Sequence, residues 1–89
     1  MKLIEEIKQD KREIDYEFKR CYNKKKKLMY WSDYDYIYER IIETISKIKK
    51  VKGFKNKVVA TKIKWDLQSL FIKLDDINKV QVILEGEDQ

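Results

Sequence analysis

The sequence predicts an all-α fold: a three-helix antiparallel bundle built from an N-terminal helix and a helical hairpin. Three observations carry that prediction. Proline is absent, and Gly53 and Gly86 are the only glycines, so the chain lacks the residues that the tight turns of a β-rich fold require. Three long stretches repeat their apolar residues at helical spacing, about 100° per residue. Finally, 89 residues, 43% of them hydrophobic and 42% charged, suit one domain with a modest core and an unusually ionic surface.

The first helix is expected over residues 2–30. Leu3, Ile7, Ile14, Phe18, Cys21 and Leu28 share one arc, interrupted by Lys11 and Lys25, whose methylene stems can lie along an apolar seam. Glu5, Glu6 and Asp10 come early and Lys24–Lys27 late, the order that a helix dipole favours. The second helix is expected over 33–52, with Ser32 as N-cap and Asp35 in the capping-box position. Tyr34, Ile37, Tyr38, Ile41, Ile45 and Ile48 form its apolar stripe. Gly53 falls where a left-handed residue would close that helix, and Phe54 where it would pack back on Ile48.

The short connection that follows predicts that the second and third helices form a hairpin. Asn56 is the expected cap of the third helix, over 56–79. Its core stripe is Val59, Ile63, Leu67, Leu70, Leu74 and Ile77. Beyond it the chain frays into the acidic tail 85–89, or Val80, Val82 and Leu84 form a short strand. The Lys24–Lys27 run is expected beside the end of the third helix, within reach of Asp75, Asp76 and the tail.

Catalysis is not expected. Histidine is absent and Cys21 is the single cysteine, which excludes an intrachain disulfide and a Cys/His metal cluster. Asp33/Asp35 and Asp75/Asp76 are too close in sequence to converge from a helix, and there is neither a glycine-rich phosphate loop nor a serine elbow. No cofactor or metal site is therefore predicted. Cys21 reads as a small core residue in a reducing cytoplasm. With no run of eighteen apolar residues and no signal-peptide pattern, a soluble cytoplasmic protein without membrane contact is expected.

Two surface features remain as candidates. The window Thr44–Trp65 holds Lys47, Lys49, Lys50, Lys52, Lys55, Lys57, Lys62 and Lys64 and no acidic residue. That should create a positive field at the hairpin tip, with Phe54 and Trp65 near enough to stack on bases if exposed. No arginine lies in the window, which disfavours sequence-specific base reading. The second feature is apolar. Val58, Trp65 and Ile72 recur at intervals of seven on the side of the third helix away from its core stripe, and Tyr36 points away from the stripe of the second. Tryptophan and tyrosine are frequent interface anchors.

These features predict a small non-enzymatic binding protein that docks on a host or defence protein complex through helix surfaces. A homodimer joined by the Val58/Trp65/Ile72 faces is also expected. Lysine, isoleucine, asparagine, tyrosine and phenylalanine supply close to half of the chain, so the coding is AT-rich. That fits a regulator or inhibitor of the kind carried by bacteriophages or mobile elements, an inhibitor of a CRISPR effector being one instance. The alternative expectation is a non-specific DNA- or RNA-binding protein that uses the lysine-rich tip 47–64.

Overall fold

In a computed structural model the chain forms three helices, α1 (Leu3–Cys21), α2 (Trp31–Ile48) and α3 (Phe54–Glu87), packed up, down and up. Residues 2–25 and 29–87 are described, 80–87 as backbone alone. No β-strand occurs among them. The molecule measures 53 × 18 × 18 Å. Its long axis is set by α3, whose 34 residues reach about 50 Å at 1.5 Å per residue.

The core follows the three apolar stripes. Ile4, Ile7 and Ile14 of α1 meet Ile37 and Ile41 of α2, and Ala60, Ile63, Leu67, Leu70, Leu74 and Ile77 of α3 cover the groove between them. Val59, Tyr34, Ile45, Ile48, Leu3, Phe18 and Cys21 pack half-buried around that centre. An aromatic ladder fastens α2 to α3: Trp31 meets Tyr34 edge-on at 5.8 Å, Tyr34 stacks on Tyr38 at 6.0 Å, and Tyr38 meets Phe71 at 4.5 Å.

The helix ends differ from the sequence expectation at five places. α1 stops at Cys21, well short of residue 30. Tyr22 turns extended, and the Asn23 carboxamide oxygen accepts the Lys25 amide at 3.1 Å. Asparagine thus offers the backbone a local partner in place of the helix ladder. Leu28, the last member of the expected α1 stripe, lies outside the described residues, as do Lys26 and Lys27. Lys24 and Lys25 are exposed and form no ion pair with Asp75 among the described residues; Asp75 pairs with Lys79 on its own helix at 3.2 Å.

α2 begins at Trp31, inside which Ser32 makes no cap. The N-cap position falls to Tyr30, which has no side-chain capping bond; its carbonyl accepts the Tyr34 amide at 2.9 Å. Gly53 does adopt a left-handed conformation, φ +92°, but it opens α3 instead of closing α2. α2 ends at Ile48, and the Gly53 carbonyl accepts the Lys57 amide at 2.9 Å. Asn56 therefore sits within the helix and caps nothing. Buried Val51, not Phe54, closes the corner. At its far end α3 continues as helix through 80–84 to Glu87, which excludes the strand alternative.

Candidate functional site

The core stripe of α3 uses one side of the helix, and the structure leaves the opposite side in solvent. Val58, Trp65 and Ile72 are 42%, 63% and 65% exposed. Phe54 joins them, 84% exposed. At about 100° per residue these four fall within roughly 40° of one another, an apolar ridge about 27 Å long at 1.5 Å per residue. Scattered exposed apolar residues are ordinary, whereas these four, two of them large aromatics, form one aligned row. Tyr36 is also exposed, but it belongs elsewhere. It borders a shallow depression between α1 and α2 lined with Glu13, Ile14, Glu17, Ile37 and Arg40. The expected interface residues therefore occupy two places, Val58, Trp65 and Ile72 on one ridge and Tyr36 on another face.

Seven of the eight lysines of the tip stand around the start of that ridge. Lys49, Lys50, Lys52, Lys55, Lys57 and Lys62 are exposed and Lys64 half-exposed. None of the seven forms an ion pair among the described residues. Their field is therefore uncompensated at close range and is available to an anionic partner.

Lys47 is different. Its Nζ lies 2.8 Å from Glu6 Oε1 and 2.8 Å from Asp10 Oδ2, so it holds α1 to α2 and does not contribute a free charge. Asp10 is the centre of this cluster and is only 6% exposed. Arg40 Nη2 donates to Asp10 Oδ1 at 3.3 Å and to Glu13 Oε2 at 2.7 Å. Thr44 is fully buried, and its hydroxyl donates to the Arg40 carbonyl at 2.8 Å. The alternative acceptor, Asp10 Oδ2 at 3.5 Å, is at the limit of a hydrogen bond. No buried side-chain polar atom lacks a partner among the described residues, so the cluster is a complete internal network and not a vacant site.

Hydrogen bonds to Asp10 and then Glu6 hold the Lys47 ammonium above its ordinary pKa of 10.5. A raised folded-state value means that the stabilisation is complete below the unfolded value and fades as pH rises through the folded one. Urea midpoints should accordingly fall above about pH 10.5, and Lys47→Met should fall less steeply. Burial also raises the Tyr34 phenol and weakens the fold in the same window, so the comparison with Lys47→Met is what isolates the lysine. Parallel pH curves for the two proteins would remove Lys47 from the account.

The surroundings of Cys21 disfavour its thiolate. Cys21 is half-buried, its Sγ 3.9 Å from Glu17 Oε2, and burial, then the nearby Asp33 charge, push the thiol above its ordinary pKa. A nucleophilic cysteine needs the opposite shift. No helix among the described residues is long and apolar enough to cross a membrane. Comparison with protein-family models, curated proteins and solved structures finds no match.

Proposed function

We propose that this chain is a non-enzymatic binding protein and that the outer face of α3 is its protein-docking surface. The observation that supports the reading is the Phe54–Val58–Trp65–Ile72 ridge, solvent-exposed on the side of α3 opposite its core. Desolvating two aromatic and two aliphatic side chains on a rigid helix provides the hot-spot type of energy on which protein interfaces run. The biology that fits is a small cytoplasmic regulator or inhibitor of phage or mobile-element type, acting on a host or defence complex. The free thiol, the AT-rich coding and the lack of catalytic groupings agree with it.

The seven unpaired lysines favour a second reading, non-specific binding of DNA or RNA at the tip. The two readings separate by experiment. Protein docking is lost in Trp65→Ala and changes little with salt. Nucleic-acid binding weakens steeply with salt and fails on charge reversal at Lys50, Lys52, Lys55 and Lys57. A photo-crosslinking residue at position 65 of the full chain is expected to form adducts with protein, and a mobility-shift titration with single- and double-stranded oligonucleotides to show no complex even at low ionic strength. Nucleic-acid adducts at position 65, with no protein adduct, would overturn the docking reading.

A further inference from the structure

We propose that the hairpin tip is a peripheral membrane contact, in which Phe54 enters the headgroup layer of an anionic bilayer and Lys49, Lys50, Lys52, Lys55 and Lys57 meet its anionic groups. This contact is separate from the surface around Trp65 and goes beyond the docking reading. The local backbone holds Phe54 outward. Buried Val51 fills the corner between α2 and α3. Gly53, at φ +92°, turns the chain so that α3 starts at once, and its carbonyl accepts the Lys57 amide at 2.9 Å. Phe54 is thus fixed on a helix and yet 84% exposed, the most exposed large apolar side chain among the described residues. Residues 52–58 are exposed without a break, so the tip is convex.

The positive charge of the chain is gathered at this end. Of 21 basic and 16 acidic residues, eight lysines and no acid fall in the window Thr44–Trp65. The rest of the chain, thirteen basic against sixteen acidic, is net negative. The five lysines nearest Phe54 are exposed and form no ion pair among the described residues. The start of α1 brings exposed Lys2 and Glu5 to the same end, where they offset each other, while Lys47 holds Glu6. Glu43 stands higher on α2, beside Arg40. Lys24 and Lys25 belong to the opposite end of the bundle, which also holds Asp33, Asp35, Asp75 and Asp76. A rod 53 Å long with its excess of cations at one end is drawn end-on to a negative surface.

A bilayer is the anionic partner that fits this shape. An aromatic ring is at home at the headgroup level, and lysines beside it are attracted by anionic lipid. Along α3, Lys57 stands about 5 Å above Phe54 and Trp65 about 16 Å. The usual penetration of about 5–10 Å therefore keeps the lysines among the headgroups and leaves Trp65 clear. One ring with a polybasic patch gives reversible binding. A nucleic acid fits less well, because strand binding uses a groove with several stacking rings, and a convex tip presents one. The sequence expectation of no membrane contact rests on the lack of a spanning segment, which a peripheral contact does not need.

The test uses the full chain at an ionic strength of about 0.15 M. Co-sedimentation is expected with phosphatidylcholine vesicles containing about 30% phosphatidylserine, and not with phosphatidylcholine alone. Lys55→Glu with Lys57→Glu should weaken binding by about tenfold or more. Lys73→Glu with Lys79→Glu, the same change of net charge at the other end, should leave it nearly unchanged. Phe54→Ala should cost about tenfold. In a Cys21→Ser background, an environment-sensitive dye on Phe54→Cys should shift to the blue on the anionic vesicles and be quenched by brominated lipid. The same dye on Gln68→Cys should do neither. Equal losses from the two lysine pairs, or binding with the dye at position 54 still in water, would overturn the tip contact in favour of adsorption by net charge. No binding to the anionic vesicles, whether or not an oligonucleotide or acidic polypeptide is captured instead, would also overturn it. Crosslinking at position 65 reads the docking surface separately, so the failure of one reading is distinguishable from the failure of the other.

Discussion

Replacing Asp10 with alanine is expected to destabilise the fold by about 3 kcal/mol, far more than any other single carboxylate among the described side chains. Asp10 is buried between α1 and α2 and receives Arg40 and Lys47 together. Truncation takes the buried anion away from two cations, and removal of one partner is the costly way to break a buried ion pair. Both cations are partly exposed, Arg40 with Glu13 and Lys47 with Glu6 still in reach, so the loss should stay below the top of the usual range. Glu13→Ala serves as the control: its carboxylate is exposed, and an exposed pair costs under about 1 kcal/mol. Urea unfolding measures both. Equal losses for Asp10→Ala and Glu13→Ala would mean that burial adds nothing to this network.

That network was not legible in the sequence, and the reason is physical. Asp10 and Thr44 occupy positions on apolar arcs, three residues after Ile7 and Ile41 respectively. Periodicity counts apolar residues, so polar members of the same arc read as gaps. Yet a carboxylate on the inner arc of one helix, with a threonine, an arginine and a lysine at i, i−4 and i+3 on the next, is the signal that could have found it. The fold class was legible because three independent stripes agreed and almost no turn residues competed. Helix ends were less so. Asn23 stopped α1 through a side-chain bond that propensity does not locate, and Gly53 has the positive φ expected of it while serving the following helix.

The candidate surface was half legible. Val58, Trp65 and Ile72 stood out because their spacing of seven falls on the side away from the core. A second helix running to Lys52 would turn Phe54 inward onto Ile48. Once α2 ends at Ile48 and Val51 fills the corner, Phe54 becomes the first residue of α3 and lands on the ridge. Lys47 belongs to the acid-free window Thr44–Trp65 in sequence, yet on the helix it faces α1.

Leu67→Ala is expected to cost about 3–4 kcal/mol, and Trp65→Ala, two residues away, close to nothing in the monomer. Both side chains are large and apolar, and only their direction differs. Leu67 is 1% exposed in the middle of the α3 stripe, where truncation removes the transfer energy of the buried side chain and leaves a cavity that two flanking helices cannot both close. Trp65 projects into water, and a better helix former at that position offsets what little packing is lost. The contrast is expected to reverse for the proposed association, with docking lost in Trp65→Ala and kept in folded Leu67→Ala, whose outer ridge is unchanged. Thermal unfolding at low protein concentration, where partners are dissociated, reads the first effect without the second. If Trp65→Ala destabilises the dilute protein as much as Leu67→Ala does, both faces of α3 belong to the core, and the outer ridge is not a free surface.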